Sequence, residues 1–207
     1  MRVEAQSISV VFPGKILFRQ LNFALESGER MAILGPNGSG KSTVIKLVSG
    51  QLRPRSGRLV YQTEEGVVEA EAACFRMGFA APYAELIEEL TVAEHFDFQR
   101  GFRPFRNHLD FEEFRDILGL ILAPNQRVSS LSSGMKQRVK LALAVLSEVD
   151  LLLLDEPCSN LDAAGRAWYG RLLDDHLDGR SLMVGSNHVP EEIALCTRRL
   201  ELTGAVL

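Results

Sequence analysis

The 207-residue sequence predicts an α/β fold with a parallel sheet at its core, an N-terminal antiparallel β layer and an inserted α-helical subdomain over approximately residues 83–145. Three observations carry that expectation. The apolar run Met31-Ala32-Ile33-Leu34 feeds a glycine-rich turn at Gly35–Thr43, and Val44–Val48 then takes up a helical pattern, giving strand, turn and helix in order. Leu151-Leu152-Leu153-Leu154 is apolar without alternation and stops at Asp155-Glu156-Pro157, as expected of a strand covered on both faces. Leu182–Gly185 is a similar run, ending at Ser186-Asn187-His188.

The remaining elements follow from local pattern. Val3, Ala5, Ile8, Val10 and Phe12 interleave with polar residues up to a Pro13-Gly14 turn, and Leu21, Phe23 and Leu25 continue the alternation. Pro54–Gly57 is a second turn, followed by a strand at Arg58–Tyr61 and a mixed stretch to about Glu71. Residues 86–122 are helical in character, and Leu90-Thr91-Val92-Ala93-Glu94 has the spacing of a capped helix start. Phe96, Phe98, Phe102 and Phe105 cluster there, either as a small core or as a surface for a partner helix. Met135–Leu146 is a helix that Ser132 or Ser133 is placed to cap. There is no internal repeat and no low-complexity segment, so one domain spans residues 1–207.

The turn itself carries chemistry. Gly35-Pro36-Asn37-Gly38-Ser39-Gly40-Lys41-Ser42-Thr43 fits G-x-x-x-x-G-K-[ST], the phosphate-binding loop of P-loop NTPases. Glycines allow positive φ and close approach of main chain to an anion, and the helix that follows adds its positive end. Lys41 is placed for the β- and γ-phosphates and Ser42 for Mg²⁺. A glycine-rich surface turn without a ligand would not need the flanking strand and helix. Ligands of open α/β sheets bind at the carboxyl ends of the strands. Asp155, at the end of its strand, is therefore a candidate Mg²⁺ holder, and Glu156, next along and facing elsewhere, a candidate to polarise an attacking water. On its own the acidic pair would be a solvated strand cap.

Composition bounds the rest. The longest apolar stretch, Ile117–Ala123, falls far short of the roughly 20 residues of a membrane-spanning helix, and Met1–Ala5 lacks the apolar segment of a secretion signal, so a cytoplasmic protein is expected. Net charge is −4, which provides no global field for nucleic acid. Cys74, Cys158 and Cys196 fit no zinc or disulfide spacing and read as three reduced, buried thiols.

Taken together and in this order, the motifs resemble the ATP-binding cassette of ABC transporters over nearly the whole chain. Leu131-Ser132-Ser133-Gly134-Met135 is similar to the family signature L-S-G-G-Q, Ser159-Asn160-Leu161-Asp162 to the loop S-A-L-D that crosses the dimer interface, and His188 to the histidine that contacts the γ-phosphate. Phe12 matches the aromatic residue on which adenine stacks, although a core Phe reads the same way from sequence. Taken alone, a Ser/Gly cap or a single His after a strand is more often structural.

The resemblance implies ATP and Mg²⁺ as cofactors, with Glu156, His188 and Lys41 catalytic. Phe12, Gly35–Thr43, Ser132, Ser133, Gly134 and Asp162 would then bind ATP, and Ser42 and Asp155 would bind the metal. It also implies a homodimer, or a heterodimer with a similar cassette, formed on ATP binding. Separate membrane-spanning subunits would dock near Phe79–Phe105, with the chain peripheral on the cytoplasmic face of the membrane and no nucleic-acid partner. Four positions depart from the family text, one of them Cys158, which stands where Thr is common. Pro82 stands where a glutamine reaches the metal, Ser133 replaces Gly and Met135 replaces Gln. The chain's end soon after His188 resembles the haem-exporter subunits of cytochrome c assembly. A soluble cassette ATPase acting on ribosomes or DNA is the alternative. A nucleotide kinase or GTPase would leave Leu131–Met135 and Ser159–Asp162 idle.

Overall fold

In a computed structural model, residues 1–13, 15–123 and 126–203 are described, and they divide into two compact units. The first comprises Met1–Phe79, Val149–Glu156 and Gly179–Leu207; the second comprises Ala80–Glu148 and Pro157–Asp178. The helical unit thus takes in 157–178 besides the single insertion expected near 83–145.

The first unit holds two sheets. β1 (Arg2–Phe12), β2 (Lys15–Leu25), β4 (Ser56–Thr63) and β5 (Gly66–Val68) form one in the order β2-β1-β4-β5, with antiparallel pairing throughout. The spacing Val3, Ala5, Ile8, Val10 slips phase between Ala5 and Ile8, yet all four side chains are buried. A bulge reconciles the two. Both pairings of β1 shift register there, Ser7 adopts φ 51° and its N–H donates to Asn22 Oδ1 at 2.7 Å. Phe12 ends β1 at 41% exposure, so its reading as a core residue is overturned. The expected turn at Pro13-Gly14 keeps Pro13, while Gly14 lies outside the described residues.

The second sheet has the order β6-β7-β8-β3-β9, where β3 is Arg30–Leu34, β6 Met77–Ala80, β7 Leu151–Asp155, β8 Ser181–Ser186 and β9 Arg198–Glu201. β8 pairs parallel to both β3 and β7, and β9 pairs parallel to β3. Every residue of β7 and β8 is buried, which accounts for their lack of alternation. α1 (Lys41–Val48) packs Val44, Ile45, Leu47 and Val48 into the same core as Ile8, Leu151 and Leu153. The buried Tyr61 hydroxyl donates to Val48 O at 3.0 Å and closes the end of α1; burial pushes its pKa up to about 12. α2 (Ala70–Ala73) leads into β6. None of the three cysteines is in a disulfide, and of the three Cys158 is buried while Cys74 and Cys196 are half-buried, which corrects the expectation of three buried thiols.

The second unit is helical, though not as one run over 86–122. α3 (Val92–Phe102) and α4 (Phe111–Leu118) are separate, because Pro104 holds Arg103 extended at φ −146°, ψ 125° and ends α3. Each begins with a capping box. Thr91 and Glu94 exchange hydrogen bonds at the start of α3, and Asp110 and Glu113 do so at the start of α4. α5 (Ser133–Leu146) and α6 (Ala163–His176) follow, and α7 (Pro190–Ile193) is a short turn back in the first unit. The phenylalanine cluster divides. Phe96 stacks on Phe105 at 4.4 Å and meets Phe114 at 5.1 Å, all three buried, whereas Phe98 and Phe102 pair edge to face with 49% and 64% exposure. The core reading holds for the first group and fails for the second.

That division is measurable. Phe114→Ala should cost about 3–5 kcal/mol in chemical denaturation, and Phe98→Ala less than about 0.5 kcal/mol. Equal losses would contradict the packing.

Candidate functional site

The parallel register brings the carboxyl ends of β3, β7 and β8 to one edge of the first unit, Leu34 beside Ser186 and Asp155 beside Gly185. The loop Gly35–Gly40 leaves β3 there. Gly35, Gly38 and Gly40 all have positive φ, as expected of a loop whose amides turn inward on an anion. At Gly40 no side chain would fit, because a Cβ would lie 2.3 Å from the Phe18 ring. Pro36, Asn37 and Gly38 are exposed at the rim, Ser42 and Thr43 are half-buried, and Ser39 is 1% exposed with its Oγ lacking a partner.

Lys41, the first residue of α1, is 5% exposed, and its ammonium donates to Gly35 O at 2.9 Å, Pro36 O at 3.2 Å and Asn187 Oδ1 at 2.6 Å. All three of its N–H groups are satisfied, as a buried cation requires.

Asp155 is 1% exposed and its Oδ1 has no partner. Burial raises its carboxyl above the usual range; the Ser42 hydroxyl within hydrogen-bond reach opposes the rise, the Glu156 charge adds to it, and the Lys41 and Lys46 charges oppose it. A buried, orphaned carboxylate oxygen beside a hydroxyl suits a divalent ion held by few protein ligands. Among the described residues no group of three or more His, Cys, Asp or Glu side chains is placed to hold a metal ion by itself.

Glu156 lies in the left-handed region at φ 44°, its N–H bonded to Gly185 O at 2.8 Å. Reversing the chain at this point separates two consecutive carboxylates: Asp155 stays in the strand while Glu156 Oε1 accepts from Asn187 Nδ2 at 3.1 Å. Asn187 Nδ2 also donates to Asn37 Oδ1 at 2.8 Å, so one amide joins the loop, the lysine and the glutamate. Sequence reasoning missed Asn187. Its position just past β8, on the edge that carries the loop, is the signal that would have found it. His188 is exposed, in the left-handed region at φ 61°.

The other expected residues lie in the second unit. Ser132, not Ser133, caps α5, its Oγ accepting from Met135 N at 3.2 Å; Ser133 is exposed at the first helical position. Gly134 is required by packing, since a Cβ would come within 2.9 Å of Asn160 O. Asp162 caps α6, accepting from Gly165 N at 2.7 Å. Pro82 is exposed, and the preceding Ala81 carbonyl accepts from half-buried Lys140 at 3.2 Å.

A family model described as "ABC transporter" matches residues 18–159. The "Cytochrome c biogenesis ATP-binding export protein CcmA" of Mesorhizobium japonicum is 31% identical over 99% of this chain and 100% of its own length. The "Lipoprotein-releasing system ATP-binding protein LolD 2" of Rhodospirillum rubrum is 36% identical over 97% and 93%. Among solved structures, a dimeric ATP-binding cassette in a post-hydrolysis state with ADP and Pi superposes with a TM-score of 0.81 at 22% identity, covering 97% of this chain and 94% of its own, which shows a shared fold.

Two substitutions test the metal corner. Asp155→Asn should abolish Mg²⁺-dependent strengthening of ATP binding, and by removing a desolvated charge should raise the melting temperature of the nucleotide-free protein, about 2–4 °C for each kcal/mol relieved. Gly185→Ala puts a Cβ 2.6 Å from Asp155 Oδ1 and should lose the same Mg²⁺ dependence with a lower melting temperature. Calorimetric titration with and without the metal reads both.

Proposed function

We propose, for a chain that belongs to the ABC transporter family, that it is the ATP-binding and ATP-hydrolysing subunit of a transporter whose membrane-spanning parts are separate polypeptides. The observation that carries this is the convergence of the Lys41 loop, Asp155 and Glu156 on one sheet edge. The loop amides and the N-terminal end of α1 hold the phosphates, and Lys41 meets the outermost one. Ser42 and Asp155 hold Mg²⁺, which neutralises charge on the phosphate oxygens when bound. Glu156 polarises the attacking water from its own side of the chain reversal, and His188 adds a donor to the γ-phosphate. Phe12, exposed at its strand end, is free to stack on adenine.

Two copies complete the site. Ser132, Ser133 and Gly134 of one copy offer a helix N-terminus to the ATP held by the other, and Asp162 lies in the loop at their contact. The departures at Ser133 and Met135 keep a hydroxyl and the helix end, so this role survives. ATP binding closes the dimer, and hydrolysis reopens it. No helix among the described residues is long and apolar enough to cross a membrane. The chain works as a peripheral subunit on the cytoplasmic face, docking its membrane partners through the helical unit where Phe98 and Phe102 are exposed. The curated relatives support transport by their names, cytochrome c biogenesis export and lipoprotein release.

Glu156→Gln should keep ATP binding, lose about 10²–10⁴-fold in turnover and accumulate as a dimer on size exclusion with ATP. Unchanged hydrolysis would remove Glu156 from its role. Stimulation of ATPase by membranes carrying the cognate subunits is expected; stimulation by ribosomes or DNA instead would overturn the transporter reading.

A further inference from the structure

We infer that Glu192 is a positioning residue for His188: a buried carboxylate that acts through the Ser186 hydroxyl to fix the turn carrying the histidine. The inference rests on the γ-phosphate role just given to His188. Glu192 is 4% exposed and Ser186 is fully buried, so the polar atoms of both need partners from the protein itself. Ser186 is the last residue of β8, and the parallel ladder sets its main chain level with Leu34. Its Oγ accepts from Val189 N at 3.1 Å and donates to the Glu192 carboxylate. A serine hydroxyl has one proton, and an ionised carboxylate can only accept. By taking that proton, Glu192 leaves the lone pairs of the Ser186 oxygen to the Val189 N–H. The chain from N–H through hydroxyl to carboxylate is then polarised in one direction.

The turn closed in this way runs through Ser186, Asn187, His188 and Val189. His188 occupies its left-handed position, φ 61°, a conformation that a residue with a side chain keeps only where its surroundings over-determine it. Constraint reaches it from both sides. Before it, the Asn187 amide is bonded to Lys41, Asn37 and Glu156. After it, the Val189 N–H is bonded to Ser186 Oγ, and Pro190 holds Val189 extended at φ −72°, ψ 117°. The Glu192 N–H returns to Val189 O at 3.1 Å, so the carboxylate is delivered by the same short helix that the turn begins. Without the carboxylate the Ser186 hydroxyl is free to rotate away from Val189, and His188 is held from one side alone. Its backbone then relaxes and the imidazole is aimed elsewhere, while Lys41 and the amides of its loop, on a different segment, keep their places. The signature is a loss of turnover with nucleotide binding retained.

A mutant cycle separates this from a merely structural role. Steady-state ATP hydrolysis by the full chain is measured for Glu192→Ala, Glu192→Gln and Ser186→Ala, each with His188 present and in a His188→Ala background, alongside melting temperatures. With His188 present, Glu192→Ala and Ser186→Ala should lower kcat about ten- to a hundredfold and move KM for ATP less than about twofold. Glu192→Gln keeps an oxygen that accepts from Ser186 and should retain at least about a third of the parent kcat. In the His188→Ala background all three should change kcat less than about twofold, because the residue they act through is gone. Losses that multiply in that background overturn the positioning role, as does a lower melting temperature with turnover and nucleotide affinity falling in parallel. Ser186→Ala keeps the cycle measurable where Glu192→Ala fails to fold. If His188→Ala alone leaves hydrolysis unchanged, the reading of the histidine has failed and the positioning role falls with it, a result distinct from losses that multiply.

Discussion

A buried ammonium group needs an acceptor for each of its three protons, and Lys41 finds them on three different atoms. Two are carbonyls of the loop that leaves β3 and the third belongs to the residue after β8. That requirement orders much of the first unit. It needs β3 and β8 to be neighbours in parallel, with Leu34 level with Ser186. It needs a loop tight enough to turn two carbonyls inward, hence glycines at positive φ. It needs β7 on the far side of β8, so that the two carboxylates arrive at the same edge. Without that register the lysine would lose its third acceptor, leaving one N–H of a buried cation unsatisfied.

The same edge shows how two adjacent acids acquire different environments. Asp155 is still strand, buried, with one oxygen unsatisfied. One residue later Glu156 has reversed into the left-handed region and reached an exposed amide. A strained backbone angle is the means by which consecutive carboxylates are turned apart, and such angles persist where surrounding bonds over-determine them, here the Glu156 N–H to Gly185 O.

The sequence made legible whatever depends on residue type at a fixed offset. The loop, the two apolar strands, a serine cap on α5 (open between Ser132 and Ser133) and the Thr91–Glu94 capping box all belong to that class, since each needs only its own few residues. What escaped reading depends on contacts between distant segments. Phe96 and Phe98 look alike in a list of aromatics, and only packing against Phe105 and Phe114 decides which goes inside. Asn187 was invisible for a similar reason: a lone asparagine after a strand gains meaning only when Lys41, Asn37 and Glu156 are brought around it. The break in the helical stretch was legible in principle, since Pro104 forbids Arg103 a helical conformation, but the apolar pattern on either side masked it. The bulge at Ser7 was likewise written in the spacing from Ala5 to Ile8, where a strict alternation fails by one residue.

Strand order also has a consequence for how the polypeptide is made. β3 is flanked by β8 and β9, so Arg30 has to wait for Leu182 and Met31 for Met183 before either gains a sheet neighbour, and Met31 has to wait for Arg198 to gain its second. The second unit ends at Asp178 and has left the ribosome in full by then. The helical body is therefore free to mature before β3 gains a sheet neighbour, whereas β1, β2, β4 and β5 pair among themselves within residues 2–68. A nascent chain halted before Ser181 would carry the complete Gly35–Thr43 motif and yet lack the wall against which it closes, leaving the nucleotide pocket the last part of the molecule to be finished.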